Sequence, residues 1–122
     1  MEITWLGHGS FHFRLSTGKV FVMDPWLENP KFPKGFEIDR VDAICVSHGH
    51  FDHIHDVVPL AKKFSPEVVG IFECCNWLES KAVKNTRAMN KGGSQEIAGV
   101  KITMTQAVHS CGILDDGKII YG

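Results

Sequence analysis

The residues best suited to chemistry crowd into one segment. Ser47-His48-Gly49-His50-Phe51-Asp52-His53-Ile54-His55-Asp56 holds four of the seven histidines and two aspartates. Imidazole nitrogen and carboxylate oxygen are ligands for zinc, and they also suit manganese or iron. His48 and His50 stand two apart, so an extended backbone aims both rings to one side. Gly49 between them permits a tight turn. Asp52 and His53 are expected to enter a helix, where adjacent residues diverge by about 100°. They therefore reach a second point a few ångströms from the first. One short loop thus offers two ligand pairs, as a site with two ions about 3.5–4 Å apart requires. By the same arithmetic His55 points away from His53 and is expected to support the helix entry. Asp56 suits the first turn, where a carboxylate meets the positive end of the helix dipole.

The elements around this segment can be read from periodicity. Val41–Ser47 is a continuous apolar run and predicts a buried strand. Ile54, Val57, Val58, Ala61 and Phe64 recur on one helical face, with Lys62 and Lys63 near the C-terminal end and Pro66 as a stop. Upstream, Glu2–Leu6, Ser10–Leu15 and Val20–Asp24 predict an antiparallel meander, with a turn at 16–19. Pro25, Pro30 and Pro33 exclude a helix or central strand from 25–35. Downstream, Val68–Phe72 predicts another buried strand and Cys74–Lys84 a short helix. Lys91-Gly92-Gly93-Ser94 predicts a turn. Val100, Ile102 and Met104 alternate with polar residues, as a half-exposed strand does. Asp115-Asp116-Gly117 predicts a hairpin turn before a strand at Lys118–Tyr121. Together these predict a mixed α/β layer, a sheet with helices on one face.

Composition narrows the function classes. The 122 residues fit one domain; 43% are hydrophobic and 22% charged, and the net charge is −1. That balance gives no basic field for nucleic acid. No apolar run reaches the ~18 residues of a membrane span. The first residues show no basic start, apolar core or cleavage site, so a cytoplasmic location is expected. Cys45, Cys74, Cys75 and Cys111 form no CxxC pair and are expected to be free, mostly buried thiols. Cys111, two residues after His109, is the one thiol placed to reach a metal. His12, between Phe11 and Phe13 on a strand, is expected to be structural. No dinucleotide loop, phosphate loop, HExxH or GxSxG motif occurs.

His48-x-His50-x-Asp52-His53 behind a hydrophobic strand resembles the signature of the metallo-β-lactamase superfamily. Thr4-Trp5-Leu6-Gly7-His8-Gly9-Ser10-Phe11 and Val22-Met23-Asp24-Pro25 resemble the opening strands of its small cytosolic metal-dependent hydrolase branch, related to ascorbate-6-phosphate lactonase. Met89-Asn90-Lys91-Gly92-Gly93 and Ala107-Val108-His109-Ser110 resemble later stretches of that branch. The resemblance runs along essentially the whole chain but covers about the N-terminal half of the family pattern.

The resemblance implies one half of the αββα sandwich, with residues 1–122 as a single, truncated domain. It implies a three-histidine site from His48, His50 and His109. Asp52 and His53 would begin a second site, with Asp52 also the catalytic carboxylate. Asp24 would orient a ligand histidine, and His8 would lie near the mouth. One or two Zn²⁺ ions are implied, with Mn²⁺ or Fe²⁺ possible. The implied activity is hydrolysis of a small-molecule ester, lactone or phosphoester by metal-activated water. The family's bridging aspartate and last histidine come from its C-terminal half, and no histidine follows His109 here. The alternative is therefore a catalytically incomplete metal-binding fragment that needs that half or a partner chain. The open half-sandwich face is expected to pair chains into a homo-oligomer.

Overall fold

A computed structural model describes residues 1–122. Its centre is a six-stranded sheet in the order β1 to β6. The strands are β1 (Glu2–Gly7), β2 (Ser10–Arg14), β3 (Val20–Met23), β4 (Ala43–Cys45), β5 (Glu67–Ile71) and β6 (Thr86–Met89). β1, β2 and β3 are antiparallel, and β3 to β6 run parallel. The sheet is therefore mixed, as the pattern of short strands and intervening helices predicts.

Strand alternation divides the core between two faces. Val20, Val22, Ile44, Val46 and Val68 pack with Ile54, Val57, Leu60, Ala61, Cys74 and Leu78. The latter six belong to α1 (Phe51–Ile54), α2 (Val57–Phe64) and α3 (Phe72–Ser80). Phe21, Ala43, Val69 and Met89 point the other way and meet Ile97. Ile97 lies on a hairpin, β7 (Ser94–Ile97) with β8 (Val100–Thr103). A second hairpin, β9 (Gly112–Asp115) with β10 (Lys118–Tyr121), brings Ile113 into the helix-side core.

Several boundaries differ from the periodicity, each for a local reason. The helix expected over 54–64 is broken at His55-Asp56. The Asp56 amide donates to the Pro25 carbonyl at 2.9 Å, and its carboxylate accepts from the Leu27 amide at 2.6 Å. Asp56 therefore ties the proline loop to the helix rather than simply facing the dipole. α3 ends at Ser80, earlier than expected, because Ala82 and Asn85 turn into the left-handed region. β6 and β7 were not signalled: TRAM and SQEI carry little apolar alternation. Their positions come from partners, with Arg87 paired to Glu67, which also accepts from the Ala98 amide at 2.5 Å. No helix is long and apolar enough to cross a membrane.

Candidate metal centre

β4 ends at Cys45, and the chain leaves the carboxyl end of this interior strand toward α1. Ligand-bearing loops at the carboxyl ends of strands are a recurrent feature of α/β sheets. Ser47 holds the exit: its amide donates to Asp24 Oδ1 at 2.7 Å, and its hydroxyl donates to Asp24 Oδ2 at 2.5 Å. Asp24 follows β3, is 2% exposed, and has a left-handed backbone that aspartate tolerates. The parallel pairing of β3 with β4 thus sets Asp24 beside the start of the histidine segment.

Two clusters of donor atoms result. In the first, a nitrogen from each of His48, His50 and His109 lies within 4.8 Å of the others. His48 Nε2 is 3.0 Å from His50 Nδ1. In the second, His8, Asp52 and His53 meet the same limit. His8 Nε2 is 2.7 Å from Asp52 Oδ2, and His53 Nε2 is 3.7 Å from the same oxygen. The clusters adjoin, because the rings of His48 and His53 are 4.1 Å apart between centroids.

Hydrogen bonding prepares these rings. His53 Nδ1 lies 2.9 Å from Asp24 Oδ2. A carboxylate only accepts, so Nδ1 carries the proton and Nε2 keeps its lone pair. The Ser47 hydroxyl hydrogen is committed to Asp24, so at 2.9 Å it can only accept from His48 Nδ1. His48 therefore also keeps Nε2 free. One buried carboxylate sets both tautomers, directly for His53 and through Ser47 for His48. Such partners are a usual device of metal-ligating histidines.

The electrostatics favour binding-ready forms. Burial, then the neighbouring His53, His50 and His109, depress His48 to about 4, so it is neutral at pH 7. Burial pushes the Asp52 carboxyl up, but a backbone hydrogen bond, His8 and His53 outweigh it and leave it below the usual range. Asp52 is therefore an anion at neutral pH. Neutral imidazole and ionised carboxylate are the states a cation needs.

Two glycines permit the approach of the rings. A Cβ on Gly9 would stand 2.7 Å from His53 Cε1, and one on Gly49 would stand 2.4 Å from Ile113 Cγ1. Gly49 was expected to serve a tight turn, yet its φ is not positive. Its role is close approach of the β9–β10 hairpin. Its amide also donates to Cys111 Sγ at 3.1 Å.

Asp24, expected to orient a ligand histidine, lies 2.9 Å from His53 Nδ1. His8, expected near the mouth, is edge-on to Trp26 at 5.4 Å and joins the Asp52 cluster. His55 turns aside to Asp56 at 3.0 Å. Cys111 is outside both clusters. Burial pushes the Cys74 thiol up to about 12 and Cys75 to about 11, which fits inert core thiols. His12 is buried with neither ring nitrogen bonded. Ser47 was missed as a site residue. Its position before the first histidine was visible, but its link to Asp24 spans 23 residues.

Known proteins are similar to this chain in sequence and in fold. The chain is 72% identical over 123 residues to a UPF0173 metal-dependent hydrolase of Solibacter usitatus, covering 100% of this chain and 54% of that protein. It is 47% identical to one from Koribacter versatilis, covering 100% and 53%. The chain thus spans about half the length of the curated relatives it matches. Among solved structures it resembles Igni18, a novel metallo hydrolase from Ignicoccus hospitalis, with TM-score 0.76 and 27% identity, over 98% of this chain and 53% of that one. It also shares the fold, at TM-score 0.63 and 17% identity, with CmlA, a diiron β-hydroxylase from Streptomyces venezuelae, over 78% of this chain and 22% of that one. Residues 2–119 match the family model described as the beta-lactamase superfamily domain, and the chain belongs to that family.

Proposed function

We propose that the chain carries the metal-binding part of a metal-dependent hydrolase. The carrying observation is the pair of adjoining donor clusters, His48–His50–His109 and His8–Asp52–His53. The donor set fits a divalent transition metal: five imidazoles and one carboxylate, with no lysine or arginine among them. Zn²⁺ is the ion this set suits best, with Mn²⁺ or Fe²⁺ as alternatives. Bound there, such an ion supplies Lewis-acid chemistry that acidifies water and polarises the scissile group.

The chain's own residues do the rest. His48, His50 and His109 would hold one ion, and His53 and Asp52 a second, with His8 as a further donor. Asp24 keeps His53 and, through Ser47, His48 in the tautomers that present Nε2. Asp52, an anion between His8 and His53, is the residue best placed to accept a proton during turnover. The substrate class is a small-molecule ester, lactone or phosphoester. The names of the relatives support hydrolysis, and the shared fold of a β-hydroxylase shows that fold alone does not decide it.

A second reading is favoured by one observation, the half-length match to the relatives. In it the chain binds metal but turns over only with a C-terminal half or a partner chain. Metal analysis after metal-replete expression tests the common ground. At least one equivalent per chain is expected, falling strongly in a His48→Ala/His50→Ala variant. Less than about 0.2 equivalents in the wild type overturns the assignment, since a three-histidine site retains zinc tightly. Turnover of ester and phosphodiester substrates, with and without the C-terminal half of the Solibacter relative, then separates the two readings.

A further inference from the structure

Resting on the hydrolase reading, we infer that the substrate carries an uncharged alkyl or aryl substituent held in a cleft beside His50 and Asp52. The cleft has a volume of about 530 Å³ and opens on both side chains. That size lies within the range of small-molecule sites. Its floor and walls are Ile54, Val58, Trp77 and Ile113, with Phe51 and Leu114 at the rim. Phe51 is 66% exposed and Leu114 75%. Their exposure is not required by packing, because the buried residues of their own elements are Ile54 and Ile113.

Charge decides what the cleft takes. No lysine or arginine lines it. Lys81, 5.7 Å from the Trp77 ring, is held by Asp115 at 2.7 Å. A phosphate or carboxylate buried past His50 and Asp52, among Ile54, Val58, Trp77 and Ile113, would lack a counter-charge. The lysine that does line a cavity beside the histidines is Lys91. It belongs to a separate space of about 70 Å³ next to His48 and His109. An apolar group therefore gains by entering the larger cleft, whereas an anionic one does not. With the apolar end seated there, the scissile group lies toward His50 and Asp52 at the mouth. Phe51 and Leu114 are then specificity-determining residues.

Binding can be read without turnover. The chelator-treated chain is titrated with primary amides from butanamide to octanamide and followed by ¹H–¹⁵N NMR. Affinity is expected to rise about fourfold per added methylene, as for a buried alkyl chain. Shifts should centre on Phe51, Trp77 and Leu114. Phe51→Ala and Leu114→Asp, both at exposed positions, should flatten this gain, while Ile3→Ala, on an exposed part of β1, should not. Hexanoate should bind at least tenfold more weakly than hexanamide. The inference is overturned by an absent chain-length gain. It is equally overturned by a gain that persists in both cleft variants, or by shifts centred on the apolar face around Phe13 and Phe21. Metal uptake is measured on the same preparation. Metal binding without a chain-length gain overturns the cleft and leaves the hydrolase reading standing. A gain in a chain that takes up no metal supports the cleft and overturns the hydrolase reading.

Discussion

Asp24 shows how much one side chain can organise. It accepts from the Ser47 amide, the Ser47 hydroxyl and His53 Nδ1, at 2.7, 2.5 and 2.9 Å. Asn can keep the left-handed backbone and one acceptor but loses the charge. Asp24→Asn is expected to lower metal affinity 10–100-fold, read by competition with a chromophoric chelator. Unchanged affinity would remove Asp24 from its positioning role. His12 is the opposite case, a polar ring with no partner, edge-on to Phe36 at 5.3 Å. Burial, then the charge of Arg14, lowers its pKa below 6.5. The fold prefers the neutral ring, so the unfolded chain binds more protons below about pH 6.5. This contribution to stability is complete above that pH and is lost as pH falls toward the folded value. His12→Leu should add on the order of 1 kcal/mol and reduce the loss of stability between pH 7.5 and 5.5. Urea midpoints at the two pH values check this, and an unchanged pH dependence would refute it.

At the scale of elements, the sheet is held differently on its two faces. The helix side is closed by α1, α2, α3 and Ile113. The other side is covered only by β7–β8, which is anchored through Ile97 and the Glu67 bond to the Ala98 amide. That amide, and then Arg87, holds the Glu67 carboxyl below its usual range despite burial. Ile97 is fully buried. Ile97→Ala is expected to cost about 2–5 kcal/mol, with early loss of amide protection over β7–β8. Urea unfolding with hydrogen exchange reads both, and a cost under about 1 kcal/mol would mean that the hairpin does not depend on this contact.

At the scale of the molecule, the accessible surface is 7092 Å². A monomer of this mass averages about 6,500 Å². The excess fits a sheet face only partly covered. Beside the hairpin lies a wholly apolar hollow of about 240 Å³, bordered by Phe13, Leu15, Phe21 and Ile102. A face of this kind favours association. Sedimentation at micromolar concentration is therefore expected to show a dimer or larger, and a single monomeric species would count against pairing through this face.

The sequence by itself determined the chemistry on offer. The order H-x-H-x-D-H behind an apolar strand is a local pattern, and spacing along an extended chain and a helix entry suffices to read it. The meander, the buried strands β4 and β5 and the main helix were legible for the same reason, since periodicity reports which face is buried. The place of His109 came from resemblance, because 59 residues separate it from His50 and no periodicity spans that gap. Only the tertiary structure decided the rest. It set His8 against Asp52 across 44 residues and Asp24 against His53 across 29. It gave Gly49 its role through contact with Ile113 and broke the helix at Asp56 through the proline loop. Each depends on segments meeting in space, and a one-dimensional pattern carries no term for that contact.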